Sequence, residues 1–403
     1  MGQSNESARY YPTAFALYMT YFVLGIASTI MGQYKQDLAA LWGAAALSDG
    51  SYDVSGVVAV IAAIGLGRLA AFPVAGPLSD RLGRRVSGLI GCALYAVFFL
   101  GITFAPNMYV GYVLAVISGM ANSFLDTSIT PSCMEIFKEK GTIANIFTKM
   151  SISIAQFLLP FAIRFVAGNK LPFATIFFVC AGIIIIDGIF LVFLPFPEFT
   201  PVKKAKGERE KMHFTRASMV LIALGFTTST TFMLWMNCNQ ELGKLYGLAD
   251  PSSIQSFYSV GIVAALFVSA ALLKRGIKPV KILIGYPAVA LATLIVIYLV
   301  RAPWICLAGG LLLGFFAAGG VLQLVTAIAN EMFPKHRGVI TSIVMIASSV
   351  ANYTVISIAG IITKVGGTEG PRYVVLFNIA ITFIGVLLAV YLEHCMKAGD
   401  KER

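Results

Sequence analysis

The sequence predicts an all-α, polytopic membrane protein whose twelve transmembrane helices form two pseudo-symmetric six-helix bundles. Three observations support this fold class. Hydrophobic residues make up 58% of the 403 residues, charged residues only 12%, and the mean hydropathy is +0.83. Soluble domains carry about 25% charged residues, so most of this surface must face lipid. Apolar runs of membrane length recur along the whole chain, and its two halves share matching segments.

A helix needs about 20 apolar residues to cross the hydrocarbon core of a bilayer. Twelve runs meet this length, and each predicts one span. The predicted spans are 13–36, 54–76, 86–105, 108–135, 142–167, 171–196, 215–240, 253–274, 280–300, 303–332, 339–363 and 372–395. Residues 1–11 lack the basic region and cleavage site of a signal peptide, so we expect the first run to remain as a helix.

Basic residues in the loops predict the orientation of the helices. The side that holds both termini carries about three times as many Lys and Arg as the opposite side. We therefore expect a multi-pass protein of the cytoplasmic (inner) cell membrane with both termini in the cytoplasm. The net charge of +11 reflects this loop bias, which argues against nucleic acid as a partner.

The chain divides into two related halves. Residues 1–196 and 215–403 are the predicted bundles, and 197–214 is a basic cytoplasmic linker. Glu135-Ile-Phe in the first half matches Glu331-Met-Phe in the second, and Gly83 matches Gly276. Repeated bundles predict a binding site at their interface near the bilayer midplane, exposed alternately to each side of the membrane.

Three charged residues within spans mark a candidate substrate site, because intramembrane charges are costly and usually functional. Arg68, Asp126 and Lys149 lie at similar depths, counted along their helices from the cytoplasmic loops. Two cations with one anion suit an anionic solute such as a carboxylate, and Asp126 beside Lys149 suits a coupling proton. The structural alternative is an Asp126–Lys149 ion pair, with Arg68 bonded to backbone carbonyls.

Neutral polar residues extend this candidate cavity lining. For each of these residues, the alternative to a cavity role is a hydrogen bond between helices. They are Asn122, Gln156, Gln323 and Asn352, of which Gln156 and Asn352 are equivalent by the repeat.

One segment carries a family resemblance. It reads Gly76-Pro-Leu-Ser-Asp80-Arg81-Leu-Gly83-Arg84-Arg85 and resembles the signature that the major facilitator superfamily carries between its second and third helices. The resemblance implies the fold of that superfamily and a cytoplasmic gate formed by Gly76, Asp80, Arg81, Gly83, Arg84 and Arg85, with Glu135 and Glu331 as partners. In this gate Gly76 permits close helix approach and Gly83 a tight turn. Alternatively, these charges only set the orientation.

The family also places its sixth helix at the periphery of the bundle, which implies a structural role for Asp187. Arg68 lies in the same helix as the anion-binding arginine of the superfamily's nitrate transporters, and the resemblance stops there. The rest of the nitrate signature is absent from this sequence.

These features predict a secondary active transporter, most simply a proton-coupled carrier of an organic anion, that works as a monomer in the lipid bilayer on a small-molecule substrate. Neither a nucleotide-binding nor an enzyme motif occurs, and the six cysteines are scattered, so we expect an ion gradient and no enzyme activity, cofactor or metal. Other possibilities are a multidrug exporter, although its Gly-Pro-rich motif is absent from the fifth span, a sugar carrier, or a receptor of transporter fold.

Overall fold

The computed structural model describes residues 9–47, 50–137, 141–197, 212, 214–333 and 337–401, with the backbone alone described at 141–146, 337–338 and 398–401. The chain forms two compact units, Met1–Lys206 and Gly207–Arg403. Their boundary falls in the predicted linker 197–214, most of which lies outside the described residues. The described part is helical, with one isolated bridge between Ala46 and Tyr52.

The described residues of the amino-terminal unit form eight helices. They are α1 (Tyr11–Ala27), α2 (Ile30–Gln33), α3 (Lys35–Leu41), α4 (Ser55–Leu82), α5 (Arg84–Thr103), α6 (Met108–Phe137), α7 (Gly141–Gly168) and α8 (Ala174–Phe193). Helix α4 packs on α6, α1 on α7, and α5 on α8. These three contacts pair the second span with the fourth, the first with the fifth, and the third with the sixth.

The carboxy-terminal unit repeats this arrangement. Its helices are α9 (Arg216–Leu245), α10 (Ser253–Lys274), α11 (Pro279–Leu299), α12 (Pro303–Leu313), α13 (Val321–Met332), α14 (Arg337–Gly366) and α15 (Gly370–Lys401). Helix α10 packs on α12, α9 on α14, and α11 on α15. The same order of pairing within each unit is the structural counterpart of the sequence repeat.

Eleven segments of the described chain are long and apolar enough to cross a membrane. The last, Val339–Lys397, contains both α14 and α15, joined by the 3₁₀ turn Gly367–Glu369. The chain is therefore an all-α polytopic protein with room for twelve crossings in its described residues.

Two predicted spans are interrupted rather than continuous. The first breaks after Ala27, where the hydroxyls of Ser28 and Thr29 donate to the Gly25 carbonyl, 2.8 and 3.1 Å away. Such bonds compete with the helical backbone pattern. The tenth passes through a π-helical turn, Gly314–Ala318, before α13 begins. Pi-helical turns are rare and frequent at functional sites.

Small residues set the closest helix contacts in both units. An ideal Cβ at Gly67 of α4 would overlap the Val116 carbonyl oxygen of α6, and one at Gly119 of α6 would overlap the Ile64 carbonyl oxygen of α4. Reciprocal glycines let two backbones touch in this way, as in small-residue membrane interfaces. Gly261 of α10 and Gly314 form the equivalent contact in the second unit.

Candidate functional site

The charged cluster predicted in the amino-terminal unit is present around Asp126. Nη2 of Arg68 on α4 lies 3.5 Å from Oδ2 of Asp126 on α6. The hydroxyl of Tyr21 on α1 donates to Oδ1 of Asp126 at 3.0 Å and lies 2.9 Å from the Thr130 hydroxyl. Three helices thus meet at one carboxylate. Its side chain is 29% exposed, so the cluster is half-buried rather than sealed.

Arg68 retains unused hydrogen-bonding capacity. A guanidinium carries five N–H donors, and within the described residues it bonds to Asp126 alone, at the long distance of 3.5 Å. Its Nε is buried without a hydrogen-bond partner in that part of the chain, and its guanidinium carbon lies 5.6 Å from the Phe72 ring centroid. Buried polar groups normally have partners, so these free donors suit a ligand.

Lys149 lies within electrostatic range of both Asp126 and Arg68 and is half-buried. The alternative arrangement, an Asp126–Lys149 ion pair with Arg68 on backbone carbonyls, is wrong for the described residues, because Asp126 pairs with Arg68 instead. The pairing follows from the glycine contact between α4 and α6. Arg68 directly follows Gly67, so this contact holds Arg68 close to α6. The cluster keeps one cation in excess.

Tyr21 is a site residue that the sequence interpretation missed. Its side chain is 1% exposed, and its hydroxyl is the shortest contact of Asp126. A tyrosine inside an apolar run resembles any other core aromatic. The only available signal was the need of its hydroxyl for a partner when buried.

The neutral polar residues of this unit have structural partners. Asn122 is 8% exposed and contacts the Tyr95 hydroxyl beside the cluster. Nε2 of Gln156 on α7 donates to the Ser28 hydroxyl at 3.2 Å, directly at the break after α1. Gln156 therefore makes the hydrogen bond between helices that was the alternative to a cavity role, and it stabilises the interrupted end of the first span.

In the carboxy-terminal unit, Gln323 and Asn352 present unused acceptors. Oε1 of Gln323 on α13 and Oδ1 of Asn352 on α14 are buried without hydrogen-bond partners in the described part of the chain. The same unit contains a small pocket of about 10 Å³, lined by four threonines (Thr227, Thr228, Thr231 and Thr382) and apolar side chains. Neutral, unsatisfied groups of this kind can bind a polar solute but add no charge.

The signature segment forms an ion-pair cluster at the junction of α4 and α5. Nη1 of Arg84 donates to Asp80 Oδ1 at 2.7 Å and to the Ser79 hydroxyl at 2.9 Å, while its Nε lies 3.4 Å from Glu135 Oε1. The Arg84 carbonyl accepts a hydrogen bond from Ser128 at 2.6 Å. Arg84, Asp80 and Glu135 thus come together as the resemblance implied.

The backbone at this junction needs glycine. Gly83 has φ +96° and is the only residue between α4 and α5, and only glycine adopts this conformation without strain. Arg85 instead donates to the Leu194 carbonyl at 2.6 Å and lies 5.0 Å from the Phe196 ring centroid, so it secures the end of α8. The predicted tight turn is confirmed.

The structure differs from the prediction at several gate positions. Asp80 and Arg81 lie in the last turn of α4 rather than in a loop, because this helix continues to Leu82. The prediction of close approach at Gly76 is wrong, since no atom of the described chain lies within 4 Å of its ideal Cβ position. Arg81 and Glu331 are exposed, and among the described side chains neither has an ion pair.

Two further charges lie deeper than the sequence suggested. Lys35, at the end of the first predicted span, is 1% exposed at the start of α3. Asp187 on α8, expected at the periphery, is 5% exposed and accepts a hydrogen bond from Thr20. The described residues contain no cluster of three or more His, Cys, Asp or Glu that could hold a metal ion.

The fold and these intramembrane charges define a class, the polytopic helical transporters built from two six-helix halves. Comparison with known proteins agrees. The family model described as Major Facilitator Superfamily matches residues 11–300 and 217–402. The chain belongs to the Major Facilitator Superfamily and is a transporter rather than an enzyme.

Similar proteins cover nearly the whole chain. The uncharacterized MFS-type transporter YfkL of Bacillus subtilis (strain 168) is 32% identical over 396 residues, 96% of each chain. The inner membrane transport protein YdiM of Escherichia coli (strain K12) is 32% identical over 395 residues, 95% of this chain and 94% of YdiM.

More distant matches include one further sequence relative and one solved structure with the same fold. The multidrug resistance protein MdtG of Proteus mirabilis (strain HI4320) is 26% identical over 330 residues, 79% of this chain and 80% of MdtG. A crystal structure of the nucleoside transporter NupG matches with a TM-score of 0.73 at 10% identity, covering 94% of this chain and 99% of NupG.

Proposed function

We propose that this transporter is a secondary active carrier of a small organic anion of the carboxylate type, coupled to protons and working by alternating access. The observation that carries the proposal is the cluster of Arg68, Asp126 and Lys149. It combines a net positive charge, half-buried side chains and unused guanidinium donors. An arginine fork matches a carboxylate in two parallel hydrogen bonds, which gives both affinity and orientation.

Asp126 is the proposed coupling group. With the carboxylate ionised, it competes with a substrate anion for Arg68, because both accept from the same guanidinium. Protonation of Asp126 releases Arg68 and leaves two cations for the substrate. A proton and an anion therefore bind together more readily than either binds alone, which is the linkage that symport requires.

The Arg84–Asp80–Glu135 cluster supports a gate at the cytoplasmic side, with both termini in the cytoplasm of the cell that carries the protein in its inner membrane. The loop charges support this orientation. The carrier is proposed to act as a monomer, with solute binding near the bilayer midplane.

Uptake into proteoliposomes tests the proposal. The purified full-length protein is screened with organic acids, sugars and cationic dyes, each with and without an inward proton gradient. We expect accumulation of a carboxylate that requires the gradient. Accumulation of sugars or dyes alone would overturn the anion assignment.

The variant Arg68→Ala sharpens this test. We expect its KM for the carboxylate to rise roughly tenfold or more, as for a charge-assisted hydrogen bond of about 1.5–3 kcal/mol. Arg164→Ala is the matched control, since it removes an exposed arginine from the same unit. Equal KM values in the two variants would remove Arg68 from the binding site.

A second candidate is proton-driven export of several drugs, which the similarity to MdtG favours. In that case cationic or neutral dyes accumulate inside inverted vesicles in exchange for protons, and Asp126→Asn abolishes this transport while Arg68→Ala has little effect. Sugar uptake is a third possibility, in which the neutral amides of Gln323 and Asn352 carry recognition.

A further inference from the structure

Asp187 is a buried acid that the proposed mechanism does not use. It lies in the middle of α8 and is 5% exposed. Within the described residues no cation lies within ion-pair distance, and Thr20 on α1 is the group that hydrogen-bonds to it. A carboxylate in a membrane-spanning helix without a cation is unfavourable, because neither water nor a counter-ion balances its charge.

The hydrogen atoms around Asp187 can be assigned. Oγ1 of Thr20 is bonded both to Asp187 Oδ2 and to the carbonyl oxygen of Ala16, 3.1 Å away. A hydroxyl has one hydrogen and can donate only once, although it can also accept. If Asp187 carries a proton, it donates to Thr20, and Thr20 donates to Ala16. Every group in this chain of bonds is then satisfied, and no charge is buried.

The ionised form makes one hydrogen bond fewer. Thr20 would then donate to Asp187 and no longer to Ala16, and the negative charge would rest on a single hydrogen bond. The titratable neighbour is the thiol of Cys92, which approaches from α5. From α7, the other helix packed on α8, no charged or titratable side chain of the described residues interacts with Asp187.

Helix α1 connects this acid to the Asp126 cluster. Thr20 contacts Asp187, and the next residue, Tyr21, contacts Asp126. A movement of α1 that separates Tyr21 from Asp126 also changes the Thr20–Asp187 contact, because the two residues share one turn of a rigid helix.

We infer that Asp187 is a second proton-binding site, and that its proton occupancy is coupled through α1 to the Arg68–Asp126 cluster. Proton binding by Asp187 does not depend on the proposed function. A role of that proton in transport rests on the proposed function. Thermodynamic coupling is reciprocal, so a change at the Asp126 cluster must alter the proton affinity of Asp187.

Infrared spectroscopy tests the inference without a substrate. The carbonyl stretch of a protonated carboxylic acid is followed in the purified full-length protein across a pH titration. We expect a band that is absent in Asp187→Asn, in which the amide keeps the size of the side chain and a donor for Thr20. Asp80→Asn is the control, because it removes an exposed carboxylate and should leave the band unchanged. A titrating band whose amplitude is the same in wild type and Asp187→Asn, or an Asp187-dependent band that does not titrate while the protein stays folded, would overturn the proton site.

Coupling is tested by two further variants. Tyr21→Phe and Asp126→Asn should each change the proton affinity of Asp187, measured from the midpoint of the same band, by roughly tenfold. Thr20→Val should remove the link, whereas Thr20→Ser should restore it. Identical midpoints in wild type, Tyr21→Phe and Asp126→Asn would refute the coupling. If instead the coupling is found but no carboxylate is transported, the proposed function fails and the proton site stands.

Discussion

Replacing Gly119 by alanine should damage both stability and the charged cluster. Gly119 lies on α6 where that helix touches α4. A Cβ there would overlap the Ile64 carbonyl oxygen and lie 2.9 Å from the backbone nitrogen of Arg68. Both neighbouring atoms belong to helix backbone, so neither can rotate away as a flexible side chain would. The added methyl must therefore move the turn of α4 that carries Arg68.

The size of the effect follows from these distances. Ordinary contacts with a Cβ begin at about 3.4 Å, so the backbone at Arg68 must shift by at least about 0.5 Å, and that at Ile64 by more. Overpacking of this kind costs typically about 1–3 kcal/mol. The bond between Arg68 and Asp126 already spans 3.5 Å, so a shift of this size away from α6 breaks it.

Thermal unfolding in detergent and uptake in liposomes measure the two consequences. Gly182→Ala on α8 is the matched control, because no atom lies within 4 Å of its ideal Cβ within the described chain, and alanine favours the helix by up to about 1 kcal/mol. We expect Gly119→Ala to unfold at lower temperature than Gly182→Ala and to resemble Arg68→Ala in transport. Equal unfolding temperatures of the two alanine variants would refute the argument from close backbone contact.

Three other changes have defined outcomes. Tyr21→Phe removes a hydrogen bond to a carboxylate, worth about 1.5–3 kcal/mol, and chemical denaturation in detergent should show that loss; an unchanged free energy of unfolding would show that water replaces the hydroxyl. Asp80→Asn should leave membrane insertion normal while uptake falls, because Arg84 loses its 2.7 Å partner; normal uptake would leave only an orientation role. Gly314→Ala should destabilise the protein as Gly119→Ala does, since it overlaps the Tyr258 carbonyl oxygen, and a normal unfolding temperature would contradict that.

Much of the fold could be predicted because the bilayer constrains it strongly. A helix that crosses lipid must bond its backbone internally and expose apolar side chains, so hydropathy locates the spans to within a few residues. The ends were less predictable. Helix α4 continues through Asp80 and Arg81 to Leu82, since charged residues in a last turn outside the lipid do not interrupt a helix, and only Gly83 does.

The site was predicted in part, for a reason visible in its residues. Arg68 and Asp126 stand out because charges are rare in spans, and depth counting placed them together correctly. Depth counting gives no rotation about a helix axis, however, so it could not choose between Arg68 and Lys149 as the partner of Asp126. Nor could it identify Tyr21, or the burial of Lys35, because both depend on how the helices pack against one another.

Comparison of the two repeated units shows that the close helix contacts are shared, whereas the charges of the Arg68, Asp126 and Lys149 cluster occur in the first unit alone. The backbone contact of Gly67 with α6 recurs at Gly261, and the contact of Gly119 recurs at Gly314, so the architecture of the two units is closely matched. At the offsets of the neighbouring matched residues, 194 for Gly67 and Gly261, 195 for Gly119 and Gly314, and 196 for Gln156 and Asn352, the positions of Arg68, Asp126 and Lys149 are held by Ile262, Val321 and Met345. The close packing therefore does not require the charges, and their presence costs stability that the second half avoids. Charges in one half without a packing reason are what the proposed binding of an anion and a proton at Arg68 and Asp126 requires.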